Sequence, residues 1–151
     1  MLAWAALMFA LASCHTGVGD PASVLGVGTS GNGPVLYFRL CPDELVSGIE
    51  ADEIKGGKFV TVWQVTASQG QRLSSPVAIG HSPQGFRAVR PLTEPLGDSE
   101  ISFQVSTSSR SIGELLNLGK AKQGQVWDGT MLWSEDQFAR KKPQGCRGSR
   151  D

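Results

Sequence analysis

The chain has 151 residues, 14 Lys+Arg against 14 Asp+Glu, a formal net charge of zero and only 19% charged side chains. Balanced charge excludes the basic footprint of a nucleic-acid binder, and the low charge content excludes a charge-driven disordered chain or a Glu/Lys/Leu-rich coiled coil. Nineteen glycines and eight prolines favour turns over long helices, and three cysteines leave an odd thiol.

Residues 1–13, MLAWAALMFALAS, carry no charge and end in Leu11-Ala12-Ser13-Cys14. A helix of that length reaches roughly 20 Å, short of the ~30 Å hydrocarbon layer, so the run suits a signal-peptide apolar region better than a membrane span. The tetrapeptide resembles the lipobox of bacterial lipoproteins: an aliphatic residue, two small ones, then a cysteine. The resemblance implies cleavage before Cys14 and a diacylglycerol on its thiol. It further implies an extracytoplasmic protein fixed to the bacterial cell membrane. The run lacks the Lys or Arg that opens such peptides, which fits a start upstream of Met1. A buried first element of the domain is the competing reading.

Residues 14–33 are rich in Gly, Ser, Thr and Asn and read as a flexible tether to a single β-rich domain over residues 34–151. Within the tether, Gly26-Val27-Gly28-Thr29-Ser30-Gly31 spells a dinucleotide fingerprint. It lacks the preceding buried strand, and Asn32-Gly33-Pro34 cannot open the helix that would hold a pyrophosphate, so no cofactor is expected.

The domain reads as short strands between turns. Val35–Cys41 alternates, with Leu36, Phe38 and Leu40 on one face and Tyr37 and Arg39 on the other. Phe59–Thr66 is rich in β-branched and aromatic residues and predicts a central strand buried on both sides. Pro76–Gly80 and Phe86–Arg90 are weaker strands. Ile101–Ser106 alternates cleanly, with Ile101, Phe103 and Val105 inward.

In Gln125–Trp133 an Asp128-Gly129 pair predicts a type I′ hairpin with Trp127 and Thr130 flanking the turn. Ser111–Gly119 predicts a short helix, and Ser134–Lys142 another, with Ser134 as its N-cap, acids early and bases late. About six to eight strands then suggest an all-β antiparallel sandwich or partly open barrel. The Cys-Trp-Cys spacing of an immunoglobulin domain is missing.

With Cys14 given to lipid, Cys41 and Cys146 are left to form a disulfide in an oxidising compartment; two free buried thiols are the alternative. A zinc site is not expected, because neither cysteine has a second ligand nearby. The acidic run Asp43, Glu44, Glu50, Asp52, Glu53 and the basic run Arg140, Lys141, Lys142, Arg147, Arg150 would be drawn together by such a bridge.

Catalytic signatures are missing. His15 and His81 are isolated, and the chain has no nucleophile elbow, P-loop or H-E-x-x-H. The carboxylate pairs Asp128/Glu135 and Asp98/Glu100 are the residual case for a small envelope hydrolase. The reading is a non-enzymatic binding module whose partner is an envelope protein or glycan, with an accessory subunit of an envelope complex as the alternative. No nucleic-acid partner and no metal are expected. Trp63, Trp127 and Trp133 are the candidate binding surface, weighed against burial in the core.

Overall fold

A computed structural model describes residues 24–143 and Cys146. Cys14, the apolar run and the first part of the tether lie outside these residues. The strands in chain order are β1 (Leu25–Ser30), β2 (Gly33–Phe38), β3 (Val46–Lys55), β4 (Lys58–Gln71) and β5 (Val77–Ala78). They continue with β6 (Arg87–Arg90), β7 (Glu100–Thr107), β8 (Ser111–Asn117), β9 (Gln125–Trp127) and β10 (Leu132–Ser134). A 3₁₀ turn (Leu118–Lys120) follows β8, and one helix, α1 (Glu135–Arg140), follows β10.

The strands form two five-stranded sheets, ordered β10-β9-β1-β2-β5 and β6-β4-β3-β7-β8, and all strand pairs are antiparallel. This is the expected all-β sandwich. Between the sheets lie Leu25, Val27, Leu36 and Phe38 from one, and Ile49, Ala51, Trp63, Val65, Ile101, Phe103 and Val105 from the other. Ile101, Phe103 and Val105 are fully buried on β7, where the alternation put them.

The expected tether is corrected over its second half. Leu25–Ser30 is a strand in the middle of its sheet, joined to β2 by a tight turn. Its glycines made it look like a linker, but they answer to packing. A Cβ on Gly26 would collide with Val126 Cγ1, and one on Gly28 would sit 2.7 Å from the Gln125 carbonyl and 2.8 Å from Tyr37 Cε2. Glycine in a strand marks such close approach.

Other elements also shift. Ser111–Asn117 is a strand: Ile112 and Leu116 are buried with Gly113 between them, and full pairing along β7 overrides the local helix signals. Helix remains only as the 3₁₀ turn, capped by Asn117 Oδ1 accepting from the Gly119 N–H at 2.9 Å. The Ser134 helix forms with a complete capping box shared between Ser134 and Gln137.

β2 is buried on both faces, because α1 lays Phe138 on the outside of its sheet, in a second small core with Val35, Tyr37 and Val126. β4 is not buried on both sides; Phe59 and Val60 at its start are exposed. β3, at the centre of its sheet, had no counterpart in the sequence reading. Its signal was Gly56-Gly57, which take φ +59° and +75° and close a two-residue hairpin between Lys55 and Lys58.

Candidate functional site

Four side-chain clusters carry the chemistry. The first lies where β2 leaves its sheet. Cys41 is bridged to Cys146, as the cysteine count suggested. Three residues on, Glu44 of the acidic run is buried. Its carboxylate takes Arg110 Nε at 2.7 Å and Nη2 at 3.1 Å, the Cys41 N–H at 2.8 Å, and the Ser109 and Thr107 hydroxyls at 2.7 and 3.2 Å. Burial alone would raise its pKa. The Arg110 and Cys41 donors outweigh burial and hold it at about 2. Among the described residues its cation is thus Arg110, from the β7–β8 turn, and not the C-terminal basic run. The cluster ties the β2–β3 loop to that turn beside the disulfide.

The second cluster is the β9–β10 loop. Asp128 does not form a type I′ turn: Trp127 pairs with Leu132, leaving four residues in the loop, and only Gly129 has positive φ. The buried Asp128 carboxylate instead accepts from the N–H groups of Thr130 and Met131, the Thr130 hydroxyl and Trp133 Nε1, the last at 2.7 Å. Burial works against its charge, and these four donors lower its pKa all the same. Glu135 accepts from the Tyr37 hydroxyl at 2.6 Å. Burial, reinforced by Glu135, raises the pKa of that phenol. Both members of the Asp128/Glu135 pair are therefore engaged in holding loop and helix in place. Asp98 and Glu100 are exposed.

The tryptophans do not make one exposed face. Trp63 is 1% exposed in the main core. Trp127 is half-buried against that core. Trp133 packs on the second core with Lys141 Nζ 3.3 Å from its ring centre. The Arg39 guanidinium lies 4.7 Å over the Phe138 ring of α1. Burial lowers the Arg39 pKa, against the pull of Asp128. Trp63 is core and leaves the candidate binding surface, whereas Trp127 and Trp133 are half-buried.

The third cluster is the outer face of the β4-β3-β7 sheet. Glu50 there accepts from Gln64 Nε2 at 2.7 Å, and burial followed by its neighbour Asp52 raises its pKa. Gln104 stands opposite Glu50 on β7. Among the described residues no group of three or more His, Cys, Asp or Glu could hold a metal ion.

The fourth cluster is the projecting end of the β3–β4 hairpin. Every residue from Ile54 to Val60 is exposed, with Phe59 at 66% and Ile54 at 45%, cross-strand partners on one face. Beside it a cleft of about 500 Å³ is lined by Val60 and Val62 of β4 and by Val89, Arg90, Pro91 and Leu92, with Lys55 at its rim. Lys55 is paired to Glu53 at 2.7 Å, which raises its pKa. This end carries no tryptophan. Its sequence signal was the apolar Phe59-Val60 directly after the Gly-Gly turn.

Among the described residues no helix is long and apolar enough to cross a membrane. No protein-family model, no curated protein and no solved structure matches the chain.

Proposed function

We propose that the protein is an exported, non-enzymatic binding module, held to the bacterial membrane by a lipid on Cys14, that docks a partner through the projecting β3–β4 hairpin. The observation that carries the docking role is that hairpin end: Ile54 and Phe59 are exposed as a cross-strand pair on one face, and Val60 and the 53% exposed Val89 are exposed on the cleft side of the same end. Grouped apolar side chains of this kind on a small domain mark an interaction surface. Export is supported by the Cys41–Cys146 disulfide, since such bonds persist in oxidising compartments, and by the lipobox resemblance at Leu11-Ala12-Ser13-Cys14.

The layout suits the role. Val24, the first described residue, hydrogen-bonds Arg39 near the Cys41–Cys146 bridge, while β3 runs from that end to Lys55. Ten residues of strand reach about 33 Å, so an anchor at the N-terminal side leaves the hairpin pointing outward. Fractionation of cells expressing Cys14→Ser tests the anchor. The wild-type chain is expected in the membrane fraction and the variant outside it; equal partitioning of the two would overturn the reading.

A further inference from the structure

The exposed hairpin end is also an open sheet edge. β6 pairs with β4 only at Gln64, Val65 and Thr66. From Arg90 the chain would continue along β4 toward the hairpin, but Pro91 and Pro95 interrupt it, and a proline has no N–H to give a ladder. The segment turns inward instead, burying Leu96 in the core. Among the described residues the flank of β4 from Lys58 to Trp63 therefore has β3 on one side and no strand on the other. The 500 Å³ cleft lies between this flank and residues 89–96.

Hydrogen-bond alternation in an antiparallel pair says which groups face that space. Lys55 and Lys58 flank a two-residue turn and so bond each other, which turns the backbone N–H and C=O of Phe59 and Thr61 toward the open side. Charge brackets the same stretch. Lys58 stands at its start, Arg90 opposite Gln64 at its end, and Arg87 two pairs further on, opposite Thr66. All three are exposed, and none forms an ion pair among the described residues. The acids lining the cleft, Glu53 and Glu94, lie around Lys55. Between the two bracketing cations the cleft carries the apolar side chains of Val60, Val62, Val89 and Leu92, with Thr61 and Thr93 among them.

From this we infer that the open flank of β4 receives an extended peptide of a partner protein, apolar at its centre and acidic at both ends, which adds to the sheet as a strand antiparallel to β4. Backbone bonds to Phe59 and Thr61 supply the pairing, and alternate side chains of the peptide enter the cleft. Lys58 and Arg90 hold the acidic ends and fix the register. A second copy of the chain is a poorer occupant, because antiparallel pairing of two β4 flanks would bring Lys58 of each copy toward Arg90 of the other. This inference rests on the docking role proposed above and names its ligand class.

The test uses the full oxidised chain in detergent and a capped peptide of alternating valine and threonine with an aspartate at each end. Binding is read by fluorescence anisotropy and by slowed exchange of the Phe59 and Thr61 amides. The aspartate-ended peptide is expected to bind about tenfold more tightly than its lysine-ended counterpart. The double variant Lys58→Glu/Arg90→Glu, changed only at exposed side chains, is expected to reverse that preference. Methylating alternate backbone nitrogens of the peptide is expected to abolish binding. Indifference to end charge or to N-methylation overturns the inference. So does capture of the same surface by phosphatidylglycerol vesicles, or self-association of the chain that protects those amides without peptide. None of these readouts depends on the state of Cys14, so a failure here is separable from a failure of the anchor.

Discussion

Glu44 and Arg110 lie 66 residues apart in the chain and meet as a two-pronged ion pair, Nε to Oε1 at 2.7 Å and Nη2 to Oε2 at 3.1 Å. The carboxylate side chain is 2% exposed and the guanidinium 29%. The pair joins the loop that carries Cys41 to the turn between β7 and β8, so the disulfide end of the sandwich is held by a buried charge as well as a covalent bond.

Removing one partner leaves the other charged and desolvated, which costs about 3–5 kcal/mol for a well-buried pair. Glu44→Gln keeps the shape and removes the charge. It is expected to lower stability by about 3 kcal/mol in urea unfolding, with the slope unchanged. A loss below about 1 kcal/mol would place the pair among ordinary surface bridges.

The same carboxylate sets an acid limit. Its folded pKa, about 2, lies below the ordinary 4.5. A depressed pKa gives stability that is complete above the unfolded value and is lost as pH falls through the folded one. Wild-type stability is therefore expected to fall between about pH 4.5 and 2 by on the order of 3 kcal/mol from this group. Glu44→Gln is expected to flatten that part of the profile. An unchanged acid limb in the variant would assign the effect elsewhere.

The glycines of β1 separate packing from flexibility. Gly26→Ala and Gly28→Ala place a methyl group against Val126, Gln125 and Tyr37, whereas Gly31 has nothing within 4 Å of an added Cβ. The first two substitutions are expected to cost about 1–3 kcal/mol by overpacking, and Gly31→Ala less than about 0.5 kcal/mol. Thermal unfolding of the three variants checks this. Equal, small effects would restore the tether reading for this segment.

Asp128→Asn probes the β9–β10 loop. The amide can still accept at one oxygen, but its nitrogen would face the Trp133 Nε1–H, donor against donor, where Oδ2 now accepts at 2.7 Å. A loss of about 1–3 kcal/mol is expected, together with a changed Trp133 emission in the folded state. Unaltered stability would mean the carboxylate is dispensable there.

Legibility followed how local the determinant is. Ile101–Ser106 and the Ser134 cap were readable because a period-2 pattern, and a serine followed by early acids and late bases, are complete within a few residues. β1 was not, because its glycines look like linker until Val126 and Tyr37 are seen pressing on them. Ser111–Asn117 carried a helix-like start and stop but takes its state from pairing along β7. The site was hardest. Trp63 drew attention by residue type and proved to be core, whereas the open flank of β4 exists only because Pro91 and Pro95 stop a neighbouring strand. That relation is tertiary, and no motif in β4 itself announces it.

Intact-mass spectrometry of the mature chain taken from membranes decides whether the protein is the lipid-anchored, disulfide-closed module proposed above. The expected species is a chain beginning at Cys14 with a diacylglyceryl group and lacking both thiol hydrogens of Cys41 and Cys146. A chain retaining residues 1–13, unlipidated and with both thiols free, would contradict that proposal.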